Sequence, residues 1–166
     1  PAPMVFAGKV LADVVRLIKG DRYRSRLISK IMFGNYNKHI KNVRTVNDWL
    51  TRDEAVVDEY NAGKLTTFLF TVNGYRGLMN MILYVRKPRN IERIPKNLPM
   101  LMISGLDDPV GEYGKGVYRA YNSYHGHIDD IDLRLYEDCR HELCNELNKE
   151  EIYEEIYGWI MNHMSK

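Results

Sequence analysis

The sequence predicts an α/β fold in which parallel strands are joined by crossover helices and preceded by mostly helical chain. Three observations carry this. Residues 98–104, "LPMLMIS", are almost wholly apolar, as in a strand covered on both faces. Ile131, Leu133 and Leu135 alternate with Asp132, Arg134 and Tyr136, the period of two that marks a second strand. A helical pattern follows each strand, and the order strand, helix, strand, helix requires parallel pairing through a crossover.

The elements are expected in the following order. Val10, Leu11, Val14 and Ile18 stand at helical spacing within 3–19, and Gly20 is placed to end that helix. A second short helix over 22–33 carries Leu27, Ile28, Ile31 and Met32 and ends at Gly34. The polar run "NYNKHIKNVRTVND" is a loop, and "NDWLTRDEAVVDEY" a turn and short helix with Asp53 or Thr51 as N-cap. β-Branched and aromatic residues at 66–72 predict a strand, and Leu78, Met81, Ile82 and Val85 a helix after it. "KPRNIERIPKNLP", with three prolines, is a connector. After the first confident strand, Val117, Tyr118 and Tyr121 suit a helix over 113–124 closed by Gly126. Asn148 with Glu151 resembles a capping box for a last helix whose apolar side is Ile152, Tyr153, Ile156, Trp159 and Ile160. Two strands cannot form a doubly covered sheet without neighbours for their edges. Residues 91–166 therefore read as the end of a larger sheet, and 1–90 as a mostly helical region laid over it.

Composition restricts the function. With 166 residues, 45% of them hydrophobic and 28% charged, the chain suits one globular domain. No apolar run approaches the ~20 residues of a membrane-spanning helix, and the N-terminal stretch, interrupted by Asp13 and Arg16, does not read as a signal peptide. The two cysteines, Cys139 and Cys144, give no disulfide framework and fit a reducing compartment, so a cytoplasmic location is expected. Residues 16–44 hold nine Lys/Arg against Asp21 alone, whereas 129–155 hold eleven Asp/Glu against three Lys/Arg. That asymmetry could steer an anionic headgroup or membrane surface to the basic stretch. No nucleic-acid-binding motif accompanies it, and nucleic acid is not an expected partner.

The chemistry concentrates beyond the carboxyl ends of the two strands, where open α/β sheets collect their functional groups. Asp107 and Asp108 end the first strand, and "YEDCRHELCNE" ends the second, placing His141 there. A carboxylate that accepts the Nδ1 proton of a histidine holds the ring in the tautomer needed for acyl transfer. One acid and one histidine on neighbouring loops meet that requirement, in acid-then-histidine order. Pro109 cannot continue a ladder, so it breaks the strand after Asp108.

"LPMLMISGLDDPVGEYGKGV", "LRLYEDCRHELCNE" and "EEIYGWIMNH" together resemble the C-terminal part of an α/β-hydrolase. The nearest group is the bacterial lysophospholipase or monoacylglycerol-lipase-like serine hydrolases, of the serine aminopeptidase type. "DWLTRDEAVVDEY" and "FTVNGY" are similar to the cap region of that group. The resemblance implies that Asp108 is the triad acid and His141 the triad histidine, with Asp107 solvated or forming the turn. It also implies that Arg140, Glu142, Asn145 and Glu146 hold the histidine loop. A serine nucleophile in Gly-x-Ser-x-Gly is implied too, and none of Ser25, Ser29, Ser104, Ser123 and Ser165 stands in that pattern. With Pro1 as first residue, the chain reads as cap and C-terminal core whose N-terminal half, carrying the serine, is missing. Residues 1–166 alone are then expected to be inactive. The implied substrate is a carboxylic ester with a lipid-like acyl chain, with Phe6, Met32, Phe33, Phe68 and Phe70 as candidate acyl-chain lining or plain core. The rival readings are an amide or peptide hydrolase of the same fold and a non-catalytic binding module.

Two further motifs lead elsewhere. "C-x-H-x-x-C" at 139–144 offers three zinc-type ligands with no fourth nearby, and no metal or other cofactor is expected there. "GEYGKGV" matches neither dinucleotide nor P-loop spacing and reads as a helix entry with tight turns. His125 and His127, flanking Gly126, are expected to be exposed and structural.

Overall fold

A computed structural model describes residues 2–164; Pro1, Ser165 and Lys166 lie outside the described residues. The chain divides into two compact units, the first made of 1–35 and 64–93, the second of 36–63 and 94–166. Residues 36–63, expected with the helical region, thus pack with the strands instead, for reasons set by the histidine loop below.

The first unit is helical: α1 (Ala2–Lys19), α2 (Arg26–Phe33), α4 (Val72–Val85) and the single turn α5 (Pro88–Ile91). Its core is Ala12, Ile28, Val72, Tyr75 and Met79, with Val5, Leu11, Val15, Met32 and Phe33 packed against it. α1 therefore turns a different face inward from the one its large side chains mark: Val10, Val14 and Ile18 are exposed. Small residues decide this, since Ala12 is fully buried and a Cβ on Gly8 would lie 3.0 Å from Met79 Cε. Asp13 bridges Lys9 (2.7 Å) and Arg76, and both cations hold its carboxyl below the usual range. α2 starts later than expected because Ser25 caps it, its hydroxyl accepting from Ile28 N at 3.3 Å. The strand expected at 66–72 does not form. Thr71 is the N-cap of α4 and makes only a single bridge to Arg24, so the extended run ends in a helix rather than a ladder.

The second unit holds α3 (Glu54–Ala62), β1 (Met100–Gly105), α6 (Lys115–His125), β2 (Ile131–Tyr136) and α7 (Lys149–Met164). β1 and β2 pair in parallel, Met100 opposite Ile131 through Gly105 opposite Tyr136, with α6 as the crossover. Of the two cap candidates for α3, Asp53 serves, accepting from Ala55 N at 3.0 Å. Along α7, Ile152 is fully buried and Ile156 packs beside it, whereas Tyr153 and Ile160 are exposed. The core around it includes Cys139, Leu143, Ile103 and Tyr136. Tyr136 also donates from its hydroxyl to Glu155 at 2.8 Å, and burial beside that carboxylate pushes its own ionisation well above the usual range.

Gly105 is the narrowest point. A Cβ there would overlap the carbonyl oxygens of Cys139 and Arg140. The end of β1 and the chain leaving β2 meet backbone to backbone, and Asp107 N donates to Cys139 O at 2.9 Å. Gly105→Ala is expected to lower stability by about 3 kcal/mol, the upper range for overpacking, because the obstructing atoms are backbone; urea unfolding measures it.

Candidate active site

β1 leads into a tight turn. Asp108 N donates to Gly105 O at 3.3 Å, Val110 N donates to Asp108 Oδ1 at 2.8 Å, and Tyr113 N to Asp108 O at 2.9 Å. Pro109 follows and blocks further ladder. Residues Glu112, Tyr113 and Gly114 then run in left-handed backbone (φ 51°, 55° and 81°), and Gly114 is the N-cap of α6. "GEYGKGV" is thus a helix entry. The turn buries Asp108 while Asp107 stays exposed.

His141 comes from the loop after β2. Its Nδ1 lies 3.2 Å from Asp108 Oδ2, and its side chain is 37% exposed against 8% for the acid. The two residues that the sequence nominated are therefore in hydrogen-bonding contact, across neighbouring strand ends. The bond to Asp108 is the main cause that raises the imidazole above its ordinary pKa of 6.5, against the opposing effect of burial. The carboxylate is felt on the other side too. Burial first, then the Asp108 charge, pushes up the Tyr36 hydroxyl, and burial followed by the charges of Asp107 and Asp108 pushes up that of Tyr113.

Residues 48–52 cradle the histidine. His141 N donates to Trp49 O at 3.4 Å and Glu142 N to Leu50 O at 2.7 Å. The Trp49 indole packs beside the imidazole, the rings tilted by 46° with centroids 5.1 Å apart, and Tyr36 meets Trp49 edge-on at 4.9 Å. Behind this, Glu146 is completely buried. It accepts from Arg140 N at 2.7 Å and from Arg52 Nε at 2.8 Å, while Arg140 Nη1 donates to the carbonyls of Asp48 (2.7 Å) and Thr51 (2.9 Å). Thr51, the unused cap candidate, donates its hydroxyl to Asn145 O at 2.7 Å. Glu142 meets the loop's own Asn145 at 2.8 Å. Arg140, Glu142, Asn145 and Glu146 all hold the loop's hydrogen bonds; the side chains of Glu146 and Arg140 and the main chain of Glu142 and Asn145 reach residues 48–52.

The capping box is corrected. Asn148 precedes α7, but its side-chain oxygen accepts from Arg52 Nη2 at 2.7 Å and from the Cys139 thiol at 3.4 Å. Burial is the main cause that raises the Cys139 thiol, and Cys144 is exposed, so the two cysteines stand in unlike surroundings. Sequence reasoning missed Trp49 and Tyr36; a lone tryptophan inside a polar turn, "NDWL", was the available signal. Ser104 is buried at the end of β1 with its hydroxyl 3.3 Å from Gly105 O. His125 is exposed as expected, whereas His127 is half-buried with Nε2 2.7 Å from Ile94 O.

The model of the family described as serine aminopeptidase, S33, matches residues 2–148. Among solved structures, a highly thermostable carboxyl esterase from Bacillus coagulans, in complex with glycerol, superposes with a TM-score of 0.83 at 21% identity, over 98% of this chain and 52% of that one. A lipase in an open form superposes with a TM-score of 0.77 at 21% identity, over 90% of this chain and 48% of that one. The chain thus spans about half the length of the solved structures it matches. No curated protein matches it.

Two outcomes follow from the geometry. The His141 imidazole, followed by NMR of its ring C–H resonances, should titrate above 6.5, and Asp108→Asn should bring the midpoint back toward that value. The stabilisation that accompanies this raised pKa is fully present below the ordinary histidine pKa and is lost as pH rises through the raised one. Arg52→Met leaves the buried Glu146 charge without its cation and is expected to cost about 3 kcal/mol in denaturant unfolding.

Proposed function

Since the chain belongs to the serine aminopeptidase S33 family, whose fold is that of the α/β-hydrolases, we propose that it carries two members of a Ser–His–Asp triad of an ester hydrolase. The single observation that carries this reading is the 3.2 Å contact of His141 Nδ1 with a buried Asp108 beyond the ends of β1 and β2. An acceptor on Nδ1 makes Nε2 the nitrogen that takes the proton of a nucleophile. The serine comes from polypeptide beyond these 166 residues, as the half-length superposition on the esterase and the lipase supports. Its Oγ attacks the ester carbonyl as His141 Nε2 accepts its proton. His141 then returns the proton to the departing alcohol, and water, activated by the same nitrogen, releases the acid. Asp108 keeps the ring oriented and stabilises the imidazolium throughout.

Residues 94–166 with 36–63 form the core that presents the pair, and the helical unit acts as the cap. An ester with a lipid-like acyl chain, as in a lysophospholipid or monoacylglycerol, is the preferred substrate. Exposed Phe6, Phe68 and Phe70 in the helical unit support this, whereas Met32 and Phe33 pack against its core. The basic side chains of 16–44, several of them exposed (Lys19, Arg22, Arg24, Arg26, Lys30), suit an anionic headgroup. No helix among the described residues is long and apolar enough to cross a membrane, and the proposed location is the cytoplasm.

In the full-length enzyme, Asp108→Asn and His141→Ala are each expected to lower kcat by about 10⁴-fold on a p-nitrophenyl acyl ester. Near-parental turnover in either variant overturns the assignment. Faster turnover of an aminoacyl p-nitroanilide than of the ester would move the substrate class to amides. Residues 1–166 alone should not react with a fluorophosphonate.

A further inference from the structure

The geometry points to a divalent transition-metal site formed by Asp130, Asp132 and His163, at the end of β2 remote from Asp108 and His141. One ligand atom from each of the three lies within 4.8 Å of the others. Asp130 stands in the bend just before β2 and Asp132 is the second residue of the strand. His163 stands in the last turn of α7.

The histidine distinguishes this cluster from a chance group of surface acids. Its Nδ1 is 2.7 Å from the carbonyl oxygen of Trp159. A carbonyl only accepts, so Nδ1 carries a proton and the metal-binding lone pair belongs to Nε2. That atom faces Asp130 Oδ2 at 3.3 Å. A ring N–H anchored on a backbone carbonyl is the usual outer-shell support of a metal-binding imidazole. Trp159 adds two more constraints. Its ring stacks on the imidazole with centroids 4.0 Å apart, and its Nε1 donates to Asp132 Oδ2 at 2.8 Å. One residue thus orients two of the three candidate ligands.

With Nδ1 protonated, the Nε2 lone pair faces the Asp130 carboxylate, and a divalent ion between them uses both. Donors 2.0–2.2 Å from a metal stand roughly 3 to 3.6 Å apart, which the Asp130–His163 pair already meets and small rotations of Asp132 complete. An imidazole with two carboxylates suits a Zn²⁺-type ion better than Mg²⁺ or Ca²⁺, which take oxygen ligands. A groove of about 580 Å³, lined by Leu101, Asp132, Arg134, Tyr136, Trp159 and His163, gives access and room for water to complete the coordination. The ion would tie the last turn of α7 to the start of β2. With ~3.3 Å per strand residue, roughly 15 Å separates it from the far end of β2, and nothing in it rests on the hydrolase reading.

Full-length protein stripped with a chelator and titrated with Co²⁺ tests the site. We expect one equivalent to bind, with visible d–d bands and no thiolate-to-cobalt charge-transfer band. Zn²⁺ should compete and raise the thermal midpoint, and His163→Gln and Asp130→Asn should each weaken binding at least tenfold. No saturable binding, a thiolate band assigning the ion to Cys139 or Cys144, or unchanged affinity in both variants overturns the proposal. If a variant does not fold, the parent's Co²⁺ spectrum decides by the presence of d–d bands without the thiolate band.

Discussion

The carboxylate of Glu146 has no exposure to water, and burying a charge of that kind costs several kcal/mol unless partners replace its hydration. Those partners are Arg140 N, Leu147 N, Arg52 Nε and Arg52 N, drawn from two segments far apart in the chain. Satisfying Glu146 therefore brings residues 48–52 against residues 139–146. The main chain then pairs His141 with Trp49 and Glu142 with Leu50, and the imidazole leaves the loop in one direction. The position of the histidine is a consequence of a carboxylate that never touches it.

The acid is held by a different constraint. Gly105 lets β1 end against the carbonyls of Cys139 and Arg140, so the two strand ends converge on the space between Asp108 and His141. After Asp108, one proline and three successive left-handed residues turn the chain into α6 within a few residues. Close backbone contact on one side and a polar clamp on the other set the 3.2 Å separation.

The strands and their parallel order were legible because each leaves a local trace, a period of two or a run of apolar residues, whereas the nomination of Asp108 and His141 drew on their place beyond the strand ends and on the resemblance. Other features leave no such trace. α1 is apolar around most of its circumference, so periodicity could not choose its inner face, and the small Gly8 and Ala12 chose it. Residues 66–72 have strand-like composition, but a strand needs a partner, and Thr71 finds only Arg24 before α4 begins. Asn148 has the spacing of a capping residue, yet Arg52 and Cys139 claim its oxygen. The membership of 36–63 in the second unit rests on hydrogen bonds such as Arg52 to Glu146, which a scan of neighbouring residues cannot register.

The separation of those two segments also imposes an order on synthesis. Arg52 leaves the ribosome 94 residues before Glu146, which at about 5–20 residues per second is a wait of roughly 5 to 20 s. During that interval Trp49 and Leu50 have no histidine loop to hold, and their carbonyls and apolar surfaces stay available to chaperones or to neighbouring chains. The contact of Asp108 with His141 therefore gains its support only after Glu146 has been made, and a nascent chain halted before residue 146 carries His141 without the clamp that aims it.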